Sequence, residues 1–179
     1  MSDASPLTGS LPVAFATWVY ALADAGHTPA DAAIASAVAH LADAGPDADA
    51  DAIGKALVDA TAARLAGATT LDAVATVARD LFGAAAIATD FGADRAARLR
   101  TARAYPFQTS LPWLACLIAR FPDGTVGPTW LLVERVTDAA LCMDPYPWDD
   151  LDEEHTIELT EFLVKWELAG GQGLRWVAG

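Results

Sequence analysis

Apolar residues recur at three- and four-residue steps through the first half of the chain. Over residues 12–25, Ala14, Trp18, Ala21, Leu22 and Ala25 fall on one helical face, and Gly26 and His27 end the run. Pro29 opens a second helix, striped by Ala33, Ile34, Val38 and Leu41 and closed by Gly45-Pro46. A third helix is predicted over residues 51–65. A fourth is predicted over residues 70–82, where Thr70 supplies the cap and Leu71, Val74, Val77, Ala78 and Leu81 line one side. Residues 84–89 read as a short strand and residues 94–104 as a cationic helix.

After Pro106 the period shortens. Residues 111–119, 130–136 and 140–143 are short apolar runs, separated by the turn signals Pro122-Asp123-Gly124 and Thr137-Asp138. This is the pattern of a β-meander. A helix over 160–168 and a strand over 174–177 finish the chain. Helices first and antiparallel strands second predict an α+β fold, with a helical N-terminal half and an antiparallel sheet in the C-terminal half. Neither an internal repeat nor a long linker divides the sequence. Residues 1–9 are expected to be a flexible N-terminus and residues 10–179 a single domain, as the length of 179 residues suggests.

Charge narrows the partners. The formal net charge is -13, from 24 acidic and 11 basic side chains, and only Lys55 and Lys165 are lysines. Nucleic-acid binding requires cations that replace counterions along the phosphates, so no nucleic-acid partner is expected. An acidic surface is also repelled by anionic membranes. No apolar run reaches the roughly 18 residues of a membrane span, so no membrane insertion is expected. The absence of a charged start followed by an apolar segment points to the cytoplasm.

Several residues bear on chemistry. Cys116 and Cys142 lie in predicted strands and read as small buried hydrophobes. The alternative is a thiol pair, or a displaced nucleophile at Cys142 or Cys116 served by His155. His27 in a turn and His155 in an acidic loop read as surface residues, and with His40 they are dispersed without ligand spacing, so neither a metal nor another cofactor is expected. Asp47, Asp49 and Asp51 begin like a calcium loop, but Ala52 stands where the turn glycine belongs and Val58 where the bidentate Glu belongs. Arg95, Arg98, Arg100 and Arg103 form a cationic island whose members spread around a helix at about 100° per residue. They either pair with the many carboxylates or meet an acidic partner, and Arg98 and Arg100 are the candidate binding residues. Tyr146 and Trp148, in a proline-stiffened aromatic loop, are further candidates.

The succession of motifs resembles the bacteriocin-processing (double-glycine) cysteine peptidases, a family with a papain-like fold. Ser10-Leu11-Pro12-Val13-Ala14-Phe15-Ala16 is similar to the family's nucleophile helix, and Gly26-His27-Thr28-Pro29 to the turn after it. Thr70-Leu71-Asp72 resembles a later helix start, and Leu111-Pro112-Trp113-Leu114-Ala115 the strand before the catalytic histidine. Thr129-Trp130-Leu131-Leu132-Val133 resembles the histidine strand, Asp144-Pro145 the closing Asp-Pro, and Phe162 with Trp166 a late helix. The resemblance spans about residues 10–177. It implies a degenerate member: Ser10 replaces the nucleophilic cysteine and Thr129 the histidine, and no glutamine precedes Ser10. Only Asp144 remains of the constellation. A serine needs a neighbouring base, which threonine cannot be near neutral pH. The expected function is therefore a catalytically inactive papain-like domain that binds a peptide or partner protein. An enzyme with a relocated nucleophile, a hydrolase or acyl transferase, is the alternative. A structural or assembly subunit, completed by a partner on the Ser10 side, is another.

Overall fold

A computed structural model describes residues 11–45, 48–68, 70–121, 123–143 and 155–177. Four helices come first: α1 (Leu11–Asp24), α2 (Ala32–Ala42), α3 (Ala50–Leu65) and α4 (Leu71–Phe82). The starts of α2, α3 and α4 are set by side-chain caps that satisfy otherwise orphaned backbone N–H groups. Asp31 accepts from Ala33 N and Ile34 N, Asp49 from Ala52 N, and Thr70 from Ala73 N. Pro29 is buried just ahead of the Asp31 cap, so α2 begins three residues later than the proline alone suggests.

The remaining elements are β1 (Ile87–Ala88), α5 (Arg95–Gln108), β2 (Trp113–Arg120), β3 (Val126–Val136), β4 (Ala139–Met143), β5 (His155–Glu158), α6 (Leu159–Leu168) and β6 (Gly173–Trp176). The strands form one sheet in the order β1-β6-β2-β3-β4-β5, with every neighbouring pair antiparallel. The fold is α+β. Its centre is the β2–β3 hairpin, whose turn is closed by Phe121 N–H donating to Thr125 O. Gly124 supplies the positive φ of 85° that this turn requires.

Strand alternation divides the core in two. Leu114, Trp130, Leu132 and Leu174 face α1–α4, where Phe15, Trp18, Leu22 and Ile34 meet them. Trp113, Ala115, Leu117 and Val133 face α5 and α6, joining Tyr105, Phe162 and Trp166. The sheet is thus sandwiched between two helical layers. Trp18 Nε1 donates to Pro112 O at 3.1 Å and ties α1 to the start of β2. On the other face Phe91, Trp113, Phe162 and Trp166 make a contiguous aromatic cluster, with ring centroids 4.5 to 6.2 Å apart.

A bulge in the sheet re-aims one arginine. In the β3–β4 ladder Val133 faces Cys142 and Arg135 faces Leu141, so Glu134 is an extra residue. Uninterrupted alternation from Val133 would turn Arg135 toward the α5–α6 face. The bulge seats Val136 in that core instead and leaves Arg135 exposed.

Three sequence expectations are corrected. The cationic helix does not stop at residue 104 but runs through Pro106 to Gln108. Ala102 and Tyr105 are buried, and Tyr105 Oη accepts from Trp176 N–H at 3.0 Å, so tertiary anchoring outweighs the missing backbone donor. Residues 84–89 form a 3-10 turn (Ala84–Ala86) and only a two-residue strand, because Ile87 alone among them is buried. Residues 155–158, expected as an acidic loop, form β5. Among the described residues, no helix is long and apolar enough to cross a membrane.

Candidate functional site

Thr129 lies in β3, half-buried, opposite Leu117 of β2. Its strand parity is that of Leu131 and Val133, on the α5–α6 face, whereas α1 packs against the opposite face through Leu11, Phe15 and Trp18. Ser10, Asp144, Tyr146 and Trp148 lie outside the described residues, so of the degenerate triad positions only Thr129 has a described place.

The two thiols sit on opposite faces of the sheet. Cys116 packs beside Trp130 and Leu114 in the α1–α4 core, and Cys142 is buried in the α5–α6 core. They cannot reach one another through the sheet. Burial pushes the Cys116 thiol up to about 11. Burial, reinforced by the negative charge of Glu134, pushes Cys142 up to about 12. Both are protonated at neutral pH and are poor nucleophiles in that state. The register does set Cys142 directly across from His155 in the β4–β5 ladder. Among the described residues, no three His, Cys, Asp or Glu side chains converge as a metal ion would need. His27, expected at the surface, is half-buried and stacks on Trp176 with ring centroids 4.0 Å apart.

The arginine island is divided by the helix geometry of α5. Arg95 ion-pairs with Glu167 of α6, its Nε donating to Oε1 at 2.8 Å, and this holds the Glu167 carboxyl below its usual range. Arg98 is half-buried against Gly171, where a Cβ would collide with its guanidinium. Arg100 is exposed. Arg103 reaches the other way and donates to Thr137 O at 2.8 Å, bridging α5 to the β3–β4 turn.

Beside that bridge lies a cavity of about 540 Å³, lined by Arg103, Pro106 and Phe107 from α5 and by Arg135, Val136, Thr137 and Asp138 from β3 and its turn. Phe107 is 91% exposed there. Apolar atoms make most of the wall, and two guanidinium groups stand on it. Arg98 and Arg100 line neither this cavity nor a smaller one of about 310 Å³ beside Cys116, Trp130 and Leu168. The sequence holds a signal for the larger cavity that the helix boundary conceals. Phe107 directly follows Pro106, and ending the helix before the proline removes the aromatic ring from the face it shares with Arg103. Comparison with protein-family models, with curated proteins and with solved structures finds no match.

Proposed function

We propose that the chain is a catalytically inactive, papain-like domain of the cytoplasm that binds a peptide or a partner protein, on its own or as a subunit of a larger complex. The observation that carries this reading is the apolar cavity between α5 and the β3–β4 turn, with exposed Phe107 and two arginines at its wall. Volumes of about 300–1,000 Å³ with a few convergent polar groups are typical of binding pockets. Large exposed aromatics and arginines are the residues that most often dominate binding energy. Two further observations support the parts of the proposal. A helical half followed by an antiparallel sheet fits the α+β part of the resemblance, whereas Thr129 and α1 lie on opposite faces of the sheet, so the triad positions add no support. Thr129 offers no base, and the two thiols are held protonated by burial. Probing an array of random short peptides with the labelled protein tests the reading. Reproducible retention on a subset is expected. Retention on none, together with no partner in a pull-down from the native host, overturns it.

A second reading is favoured by one observation. Cys142 and His155 are opposite one another in the backbone register of β4 and β5, which keeps a relocated thiol nucleophile as the alternative reading. An amidase screen of wild type and Cys142→Ala decides it: activity that disappears in the variant establishes the enzyme, and activity that survives excludes this thiol.

A further inference from the structure

We infer that the cavity between α5 and the β3–β4 turn takes a segment of the partner in which a large apolar side chain adjoins a carboxylate, that is, an acidic-apolar peptide; this rests on the domain being a peptide- or protein-binding one. Cations are scarce in this molecule: four of the eleven pair with carboxylates of described residues, and of those that do not, Arg103 and Arg135 are the ones that line the cavity. Arg64 pairs with Asp31, Arg95 with Glu167, Lys55 with Asp59 and Lys165 with Glu161. Arg103 and Arg135 differ. Arg103 gives one donor to a neutral carbonyl, Thr137 O, which positions the guanidinium without neutralising it. Four of its five N–H groups are left for a ligand. Arg135 is turned outward by the Glu134 bulge and has no carboxylate partner among the described residues. Among the described lining residues Asp138 is the one carboxylate against two arginines, which leaves that lining with a net positive charge.

The apolar part of the lining is Pro106, Phe107 and Val136. An aromatic ring this exposed beside a cavity is a surface that gains by being covered. A ligand that satisfies both features carries an apolar group for the apolar lining and an anion for the arginines, and guanidinium forks match carboxylate geometry. The overall charge of -13 does not forbid this. Screening confines each charge to about 8 Å at physiological salt, so a short segment in the cavity meets mainly the two arginines. An extended polyanion such as nucleic acid runs beyond that range and meets the acidic surface, which disfavours it.

The same peptide array, probed with wild type, Arg135→Glu and Phe107→Ser, tests the assignment. Both altered residues are exposed, so the variants are expected to keep the wild-type circular dichroism and melting midpoint. The retained peptides should be enriched in Asp or Glu next to an aromatic or large aliphatic residue. Arg135→Glu should weaken them by about ten-fold or more and favour lysine-bearing peptides, and Phe107→Ser should weaken them without changing the charge preference. If wild type retains no peptide, the binding reading itself fails. If it retains peptides without that enrichment, or the two variants retain the same set equally well, the binding reading stands and this assignment is overturned. A dimer that Arg135→Glu dissociates, seen by light scattering without peptide enrichment, would give the cavity to a second copy of the chain and also overturn it.

Discussion

Trp130 and Leu132 measure how far the central strand carries the fold. Both point to the α1–α4 core, at 3% and 0% exposure, as same-face neighbours on β3. Trp130→Ala should cost about 3–5 kcal/mol and Leu132→Ala about 2–5 kcal/mol in denaturant unfolding, from lost burial plus the cavity left behind. Thr129→Ala, adjacent in sequence but half-buried on the other face, should move stability by no more than about 0.5 kcal/mol. Equal midpoints for all three would contradict the register. The protonation of the buried groups gives a second check. Cys116 and Cys142 are raised from 9 to about 11 and about 12, and Tyr105 from 10 to about 12, each chiefly by burial. The folded state therefore holds protons that the unfolded state releases first. Stability from these groups is full below pH 9 and falls as pH rises from there through 12. Urea midpoints measured from pH 8 to 11 should decline, and Cys142→Ser should reduce the slope of that decline. A midpoint that is flat over this range would contradict the burial of these groups.

At the scale of elements, helix caps and close backbone approaches do the positioning. Asp94 accepts from Ala97 N at 2.8 Å and starts α5, the helix that presents Arg103 and Phe107. Asp94→Ala should destabilise by about 0.5–2 kcal/mol, read by thermal unfolding. Gly173 lies so near Leu114 O and the Trp113 ring that a Cβ has no room. Gly173→Ala should force β6 away from β2 and lower the melting midpoint, with loss of amide protection at Leu174, whereas Gly45→Ala, in open space, should not. The amphipathic stripes of α1, α2 and α4 and the apolar runs of β2–β4 were legible in the sequence because local period reports burial directly. β5 was not, since His155-Thr156-Ile157-Glu158 carries one large apolar residue and becomes a strand by pairing with β4. The run of α5 through Pro106 was equally hidden. A local rule ends a helix there, and only the burial of Tyr105 against β6 overrides it. The candidate site suffered most from this. Its cationic island was visible, but the residues that build the cavity come from positions 103–107 and 135–138, and neither the bulge at Glu134 nor the Arg103–Thr137 bridge leaves a local pattern.

For the whole molecule, the proposed binding reading predicts different roles for different arginines. Arg100 is exposed on α5 but lines no described cavity, so on the proposed reading it is expected to influence a partner only through the field around the site. Arg100→Glu should slow association at low salt and leave dissociation nearly unchanged, while Arg135→Glu should speed dissociation. Stopped-flow rates at two ionic strengths distinguish them, and equal association rates for Arg100→Glu and wild type at both salts would make Arg100 plain surface. Binding without cutting is the behaviour proposed for this domain. It is tested most directly by incubating the wild-type protein and Cys142→Ala with a peptide that the wild type retains and following the peptide's mass over a day. A persistent complex and an unchanged mass are expected in both samples. Cleavage products that form with the wild type and vanish in Cys142→Ala would contradict that behaviour.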